Sequence, residues 1–384
     1  MSFSHLHVHT QFSLLDGAAS IPALFKKAAA DGQPAVAITD HGNMFGVFKF
    51  VAEAGKHKNA DGTPKVKPIV GCEFYVVADR HRKTFTREEK DKRFHQLMLA
   101  KNAEGYRNLS KLCSLGYIDG FYSKYPRIDK ELIVQYHQGL IATTCCLGAS
   151  VPQAILRGDL AKAEEEFKWW LDLFGADYYV ELQRHGLPEQ EQVNSVLIQW
   201  ARKYNVPIIA SNDSHYTDQE DSNAHDILLC INTGEKQSTP IATDEDASTK
   251  GKRFGFPNDQ FFFKTQAQMA ATFQDLPEAL DNTGMIVDKV EHLKLKQDIL
   301  LPAYQLPEGF TDQDEYLKHL TYQGAIKRWL NGDGGIDSLD PKIKERLDFE
   351  LFVIKTMGFA GYFLIVQDFI NAGRNMGVLI GPGR

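Results

Sequence analysis

Cysteine is scarce in this 384-residue sequence, an excess of positive charge is absent, and no apolar run is long. The five cysteines are scattered and no signal-peptide pattern precedes them, so we expect reduced thiols in a cytoplasmic protein rather than a disulfide framework. No apolar run reaches the roughly 18 residues that cross a bilayer, so no membrane partner is expected. The net charge of -7 argues against a uniformly basic surface but leaves open a local groove for nucleic acid.

The length of the chain predicts more than one domain, because a single hydrophobic core rarely spans so many residues. Hydrophobic residues make up 43% of the sequence and charged residues 24%, which is typical of soluble globular proteins. We predict a first domain at residues 1–285 and a second at residues 286–384. The sequence ends on Gly-Pro-Gly-Arg directly after an apolar run, and we interpret this point as the middle of the second domain.

Short apolar runs alternate with helical patterns over the first 215 residues, which predicts an α/β fold of parallel strands joined by helices. No glycine fingerprint of a dinucleotide fold follows any of the runs, so we expect a closed barrel of about seven units rather than an open doubly wound sheet. The strands are predicted at residues 5–10, 35–38, 69–77, 97–100, 139–143, 178–182 and 207–211.

The run His5-Leu6-His7-Val8-His9-Thr10 alternates imidazole with other side chains at the strand period. Residues two apart in a strand point to the same face, so His7 and His9 would direct two ring nitrogens at one point. Such a pair can bind zinc, copper, iron or nickel, although it could also be the polar face of a half-buried strand. Asp213 and His215 repeat the same spacing after the last predicted strand.

Further side chains that can bind a metal follow other predicted strands. In a barrel of parallel strands such groups gather at the carboxyl ends. Glu73 and His95 fit this rule less well, because they fall inside the third strand and before the fourth; either the predicted bounds are off or the barrel is distorted there. The whole set of candidate ligands is His7, His9, Asp16, His41, Glu73, His95, Cys146, Asp213 and His215.

Several neighbouring residues have simpler interpretations. We expect Asp40 to cap a turn, because a loop aspartate bonds its own backbone. We expect Cys145 to pack as a small apolar residue facing away from Cys146. His5 would be packed or hydrogen-bonded within the strand. Glu181 and His185 could support the ligands or contact a substrate, or they could be purely structural.

These motifs resemble the polymerase and histidinol phosphatase (PHP) family. The resemblance rests on His7-Val8-His9-Thr10, Thr39-Asp40-His41, Glu73, His95, Cys146 and Asp213-Ser214-His215. Longer stretches resemble the N-terminal part of the C-family of bacterial replicative DNA polymerases: HVHTQFSLLDG, DSHYTDQEDSNAHDILLCINTG, and MGFAGYFLIVQDFI with GVLIGPGR. The resemblance implies a distorted seven-stranded (β/α) barrel of the PHP type, followed by a mainly helical segment that begins a polymerase-beta-like palm.

The resemblance also implies a site for up to three ions of zinc or manganese. His7, His9, Glu73 and Asp213 would surround one ion. Glu73 would bridge to a second ion held by His95 and Cys146. Asp16, His41 and His215 would hold the third. Among these residues Asp213, Glu73 and His41 would carry catalysis.

Three functions remain open for such a site. The first is phosphoesterase chemistry on DNA, namely a 3′-5′ exonuclease that proofreads. The second is a structural role in which the ions stabilise the barrel and thereby the polymerase. The third, a phosphatase for small phosphate monoesters, follows from the histidinol phosphatase branch and is disfavoured by the polymerase-like stretches.

For the full-length protein the resemblance implies DNA-directed DNA synthesis. Magnesium would serve its polymerase site, and its partners would be primer-template DNA, deoxynucleoside triphosphates and other replicase subunits, including the sliding clamp. Gly381, Gly383 and Arg384 would begin a loop that approaches the triphosphate, although these residues could equally form an ordinary tight turn. The catalytic aspartates of that family would lie beyond residue 384.

Overall fold

The computed structural model describes residues 2–86, 88–242, 251–300 and 302–383. These residues divide into two compact units, Met1–Leu295 and Lys296–Arg384. The division by contacts falls beyond residue 285, and the domain boundary there remains a prediction.

A mixed sheet of seven strands forms the centre of the first unit. Its strands are β1 (Ala35–Ile38), β2 (Lys67–Val77), β3 (Phe94–Ala100), β4 (Arg127–Asp129), β5 (Leu140–Thr143), β6 (Tyr178–Gln183) and β7 (Ile208–Ser211). Their order is β1-β2-β3-β5-β6-β7, and β4 pairs with the far end of β2. A separate two-stranded sheet contains β8 (Ile241–Ala242) and β9 (Arg253–Phe254).

Helices of the first unit follow or precede most of these strands, as the alternating sequence pattern predicts. They are α1 (Ile21–Ala30), α2 (Val47–Ala54), α3 (Ala103–Ile118), α4 (Lys130–Tyr136), α5 (Ser150–Leu156), α6 (Leu160–Phe174), α7 (Pro188–Tyr204), α8 (Ser222–Thr233), α9 (Gln266–Thr272), α10 (Glu278–Asp281) and α11 (Thr283–Lys289). α1 shows how local sequence sets a boundary: the Ser20 hydroxyl accepts a hydrogen bond from the Ala23 amide, and Pro22 lies in the first turn.

The segment at residues 5–10 closes the sheet into a barrel. His5 forms a bridge with Val36 of β1, while Val8 forms a bridge with Ser214 just after β7. The His9 amide donates to the Ser214 carbonyl at 2.8 Å, and the Ala37 amide donates to the His5 carbonyl at 2.8 Å. The strand predicted here is therefore present as single bridges, one to β1 and one to the segment just after β7, rather than as a continuous ladder.

The prediction of parallel strands throughout was wrong for β3, which runs antiparallel to both β2 and β5. The described part of the β2–β3 connection, residues 78–86 and 88–93, contains no helix, and an antiparallel return does not need one. In the register of this pair His95 lies opposite Tyr75, so the amino end of β3 meets the carboxyl end of β2. The barrel is thus distorted at the place where Glu73 and His95 did not fit the parallel rule. The three-residue strand β4 was not predicted.

Two apolar clusters pack on opposite faces of the sheet. The outer face is covered by helices, with Leu24 of α1 and Phe167 of α6 fully buried. The inner face carries a smaller cluster that includes Ile69, Leu97 and Ile209. Ile69 and Glu73 lie four residues apart on the same face of β2, so one strand contributes both to the apolar interior and to the polar rim. The position along the strand therefore decides whether an inward side chain joins the apolar interior or the polar rim.

Gly105 in α3 marks a close approach that predicts a large loss of stability on substitution. A Cβ atom there would lie 1.9 Å from the Gly139 carbonyl oxygen, which belongs to the backbone and cannot move aside cheaply. We expect Gly105→Ala to lower the free energy of unfolding by about 3 kcal/mol, the range typical of overpacking. Thermal unfolding measures this loss. The control is Gly284→Ala in α11, where nothing lies within 4 Å of the added Cβ and a small gain is expected. Equal effects of the two changes would contradict the close approach.

The second unit is helical, in agreement with the prediction for this part of the chain. Its helices are α12 (Gln313–Trp329), α13 (Pro341–Thr356) and α14 (Ala360–Asn375). Leu317 and Leu364 bury the contact between α12 and α14. Among the described residues no single helix is long and apolar enough to cross a membrane; only α13 and α14 together, across a bend of 112°, reach that length and composition.

Candidate metal centre

The nine predicted side chains meet at one rim of the barrel. Groups whose potential ligand atoms lie within 4.8 Å of one another are His7, His9, Glu73 and Asp213; His9, Asp16, His41 and His215; His41, Glu73 and His95; and Glu73, Cys145 and Cys146. The groups share members, so they form one continuous cluster.

Glu73 lies at the middle of this cluster and is 1% exposed. Its Oε2 atom is 2.9 Å from His9 Nε2, 3.2 Å from His7 Nε2 and 3.2 Å from His41 Nδ1. Its Oε1 atom faces the other way and lies 2.9 Å from His95 Nδ1 and 3.3 Å from the sulfur of Cys146. One carboxylate therefore connects two halves of the rim through its two oxygen atoms.

A tight loop carries Asp16 into the cluster. Asp16 Oδ2 lies 3.0 Å from His41 Nε2 and 3.3 Å from His215 Nε2. A Cβ atom at Gly17 would lie 2.2 Å from the Thr10 carbonyl oxygen, so this close approach of the backbone requires glycine. The loop thus folds back on the end of the first segment and places Asp16 beside two imidazoles.

Two residues at strand ends adopt the left-handed backbone conformation that non-glycine residues rarely occupy. Asp213 has a φ of +42° and Cys145 a φ of +59°. Asp213 Oδ1 lies 3.3 Å from Nε2 of both His7 and His9. Such conformations are costly and persist where surrounding structure holds them, as at binding and catalytic sites. Here they turn the chain so that side chains after β5 and β7 face the rim.

Mutual charge shifts the pKa values in the cluster. Burial alone would raise the pKa of Glu73, but the imidazoles of His95, His41 and His7 outweigh it and hold that pKa well below its ordinary value. Burial alone would lower the pKa of His215, but the carboxylates of Asp16 and Asp213 raise it to about 9. The carboxylates are therefore ionised and available as ligands.

Hydrogen bonds at Nδ1 direct the Nε2 atoms of three histidines toward the centre. His7 donates through Nδ1 to Glu181 Oε1 at 2.7 Å, and His215 donates through Nδ1 to the Asp213 carbonyl at 2.8 Å. His9 Nδ1 lies 2.9 Å from the Ser13 hydroxyl, which in turn donates to Asp40. A partner at one ring nitrogen fixes the tautomer that leaves the other free to bind a metal.

Several buried atoms of the cluster have no hydrogen-bond partner although polar atoms surround them. These atoms are His9 Nε2, Asp16 Oδ2, His41 Nδ1 and Asp213 Oδ1. A buried polar atom without a hydrogen-bond partner lowers the stability of the folded chain. Side chains that bind a common ion approach one another closely without forming hydrogen bonds, as these atoms do. The mixture of imidazole, carboxylate and thiol groups suits zinc, with manganese at oxygen-rich positions. The residues therefore fit a cluster of divalent cations.

Comparison with protein families supports the same view. Residues 5–185 match the PHP domain model. The chain carries a PHP domain. Residues 315–384 match the model of the bacterial DNA polymerase III alpha NTPase domain. The chain thus combines a PHP domain with sequence of the DNA polymerase III alpha family, which confirms the resemblance and the α/β fold of the PHP type.

Curated relatives of the PHP-domain chain are named DNA polymerase III subunit alpha. The protein of Borreliella burgdorferi is 42% identical over all of this chain and 31% of its own length. The corresponding values are 41% and 31% for Treponema pallidum and 39% and 34% for Thermus aquaticus. The chain therefore spans about a third of the length of the curated relatives that it matches.

Solved structures similar to the PHP domain are more distant. A protein from Bifidobacterium adolescentis, described as a metal-dependent phosphoesterase, is 17% identical with a TM-score of 0.33, over 56% of this chain and 88% of that one. An amidohydrolase from Chromobacterium violaceum is 15% identical with a TM-score of 0.34 over the same shares.

Glu181 is the buried carboxylate behind the rim of the PHP domain. Besides His7 it accepts hydrogen bonds from the hydroxyls of Thr143 and Ser211. These bonds fix the ring of His7, so Glu181 supports a candidate ligand. His185 does not contact the rim in this way; it bonds the Asn212 carbonyl and stacks on Phe261.

The simpler interpretations hold for His5 and for the packing of Cys145 among apolar residues, whereas they fail for the turn-capping role of Asp40 and for the orientation of Cys145. Asp40 accepts hydrogen bonds from Thr10 and Ser13 of the first segment, so it joins two distant parts of the chain instead of capping its own turn. His5 lies 2.8 Å from the Lys264 carbonyl between two phenylalanines. Cys145, by contrast, does not face away from the cluster, because its sulfur is 3.4 Å from Glu73 Oε1. β5 ends at Thr143, so the strand alternation on which that prediction rested no longer applies.

The residues predicted to bind a nucleotide belong to the second unit. Gly381 and Gly383 occupy irregular, exposed backbone after α14. Arg384 lies outside the described residues. Nucleotide binding by these three residues therefore remains a prediction.

Proposed function

We propose that the rim of the PHP domain holds up to three divalent ions, zinc or manganese, and hydrolyses phosphodiester bonds at the 3′ end of DNA. The ligands would be the nine residues that converge there. The observation that carries this proposal is Glu73, whose two oxygens face two sets of candidate ligands at 2.9–3.3 Å. Neighbouring ions that share a carboxylate are the arrangement suited to in-line displacement at phosphorus.

Bound divalent ions would supply hydroxide near neutral pH and would stabilise charge on the phosphate. The side chains contribute position and proton transfer. Glu73 is almost fully buried, and its contacts with His9 and His95 hold these two rings in place. Asp213 contacts both His7 and His9 and has a side chain that is 12% exposed, and we assign to it the proton of the attacking water. His41 contacts both Asp16 and Glu73 and so joins the halves of the site.

Release of nucleotides tests this proposal. The chain loaded with Mn²⁺ or Zn²⁺ is expected to shorten a 5′-labelled single strand of DNA from its 3′ end, whereas the chain stripped of metal is expected to leave the strand intact. A matched strand with a blocked 3′ terminus shows which end is attacked. Absence of shortening with every metal would contradict phosphoesterase chemistry.

A structural role for the ions is the second candidate, and the burial of the ligands favours it. His7 and His9 are 0% exposed, and closed coordination is typical of structural metal sites. If this role alone applies, metal removal lowers the midpoint of thermal unfolding while no nucleotide is released before or after removal. The same preparations therefore separate the two functions.

We infer further that the full-length protein is the catalytic alpha subunit of a cytoplasmic bacterial replicase that synthesises DNA. The names of the curated relatives and the match at residues 315–384 support this inference. Its polymerase site would use magnesium, primer-template DNA and deoxynucleoside triphosphates. Its partners would include other replicase subunits and the sliding clamp, and Gly381, Gly383 and Arg384 would begin the loop near the triphosphate.

A further inference from the structure

Three aromatic rings lie side by side on the surface of the PHP domain, and we call Phe45, Tyr117 and Phe121 the aromatic row. The ring centroids of Phe45 and Tyr117 are 6.2 Å apart with 35° between the planes, and those of Tyr117 and Phe121 are 6.0 Å apart with 17°. The three residues are 57%, 39% and 45% exposed. Exposed apolar side chains that adjoin one another mark interaction surfaces, whereas single ones are common on any protein.

The aromatic row begins close to the candidate metal centre. Phe45 follows the candidate ligand His41 by four residues, and Asn43 fixes the loop between them. The Asn43 side chain donates to the His41 carbonyl at 3.0 Å and accepts from the Phe45 amide at 3.1 Å. Four residues of extended chain span at most about 14 Å, so the first ring lies within that distance of the His41 backbone.

The far end of the aromatic row is held by a tight backbone. A Cβ atom at Gly120 would lie 1.7 Å from the Arg127 carbonyl oxygen, so the residue before Phe121 packs directly on another part of the chain. Just after Phe121, Tyr122 and Tyr125 exchange two backbone hydrogen bonds of 3.1 and 3.0 Å. A surface that is fixed before binding loses little conformational entropy when a ligand arrives.

The turn that follows the aromatic row returns to the candidate metal centre. The ring of Tyr125 lies 4.9 Å from the ring of Tyr75, which lies 5.8 Å from the imidazole of His41. A Cβ atom at Gly42 would lie 2.7 Å from the Pro126 side chain, so the loop after His41 packs on this turn. The aromatic row and the rim therefore belong to one continuous surface.

Two lysines beside the aromatic row carry positive charge. The Lys83 ammonium donates to the carbonyls of Asp119 and Phe121 at 2.7 and 2.9 Å. The Lys124 ammonium donates to the side-chain oxygen of Asn232 at 2.8 Å. These acceptors are uncharged, and Asp119 is the acidic residue in the segment that carries the last two rings, so it offsets one of the two charges. A positive charge thus remains beside the row, although the whole sequence has a net charge of -7.

A single strand of DNA matches both the rings and the charge. Every base has a flat face that can stack on an exposed aromatic ring, and the phosphates pair with basic side chains beside the rings. In a duplex the bases stack on one another, so their faces would not reach the row. We propose that the aromatic row binds the bases of a single DNA strand whose 3′ end reaches the candidate metal centre. The inference rests on the proposed function for the identity of that end, but binding can be tested without any reaction.

Binding of a strand that resists hydrolysis tests the aromatic row. The probe is a fluorescent oligothymidylate of about 12 nucleotides with phosphorothioate linkages, titrated with the chain in the presence of Mn²⁺ and followed by anisotropy. Tyr117→Leu and Phe121→Leu are each expected to weaken binding about tenfold, because each removes a stacking ring while the side chain stays apolar. Binding of a duplex of the same length is expected to be the same for every variant.

Two matched variants distinguish stacking from a general apolar contact. Tyr117→Phe keeps the ring, and Ile118→Ala removes a side chain without a ring from the next residue of α3, which is 76% exposed. Both variants are expected to bind the strand within about twofold of the unchanged chain. Circular dichroism shows that each variant keeps its fold.

Equal losses for Tyr117→Leu and Ile118→Ala would indicate an apolar surface for another protein or domain and would overturn the proposal. Unchanged binding by both leucine variants, or no binding of the strand by the unchanged chain, would overturn it as well. If the leucine variants weaken binding and the unchanged chain fails to shorten an ordinary strand, the aromatic row is supported and only the phosphoesterase is contradicted. If shortening occurs, the leucine variants are expected to raise KM about tenfold and to leave kcat unchanged.

Discussion

Glu73→Gln is expected to lower the affinity of the chain for zinc or manganese by more than about 100-fold. Substitution of a residue that only hydrogen-bonds to a ligand lowers metal affinity by about 10- to 100-fold. We expect a larger loss for Glu73, because it faces the ligands of two candidate ion positions directly. An amide oxygen carries no charge, so the four imidazoles around it would also lose their common counter-charge. Equilibrium dialysis followed by elemental analysis measures the number of bound ions and their affinity.

The matched control for Glu73 is Glu165→Gln on α6, which removes one carboxylate from a side chain that is 71% exposed. Its metal content is expected to equal that of the unchanged chain. Retention of the full metal content by Glu73→Gln would contradict the central position of this carboxylate in the site. Circular dichroism of both variants shows whether a loss of metal reflects a loss of fold.

Asp213→Asn is expected to reduce nucleotide release from the 3′ end by about 10³-fold, within the range for a lost proton acceptor. Asparagine preserves the shape of the side chain and one oxygen ligand, so the effect on kcat is expected to exceed the effect on KM. The left-handed backbone at this position tolerates asparagine, which avoids a separate loss of stability. The rate of shortening of labelled DNA measures the change.

Asp172→Asn on the exposed side of α6 serves as the control for Asp213. It has the same chemistry and lies far along the chain from any candidate ligand, so full activity is expected. If Asp213→Asn only lowers the midpoint of thermal unfolding and shortening continues at the original rate, the assignment of the proton to Asp213 is wrong. If neither protein has activity, the structural role gains support instead.

The positions of most candidate ligands could be predicted because they depend on the strand period and on the ends of buried strands. His7 and His9 follow the strand period, and Asp213 and His215 follow the end of a buried strand. Parallel strands bring their carboxyl ends together, so residues far apart in sequence meet at one edge. Local patterns thus sufficed for most of the rim.

The remaining features of the site depend on contacts between distant parts of the chain, which no local sequence pattern encodes. The direction of β3 places His95 beside Glu73, and strand direction follows from chain connections rather than from composition. The turn at Cys145 has a left-handed conformation that its residue type does not favour. The aromatic row became visible only in the folded chain, because its first ring and its other two come from distant parts of the sequence.

The closure of the barrel by its first residues has a consequence for biosynthesis. His9 bonds to Ser214, so the amino-terminal segment has no second edge to join until the ribosome has delivered more than 200 further residues. At translation speeds of about 5–20 residues per second this wait lasts roughly 10–40 s. During that interval the first histidines of the nascent polypeptide lack Asp213, so the candidate metal centre is complete only after the chain beyond β7 has emerged.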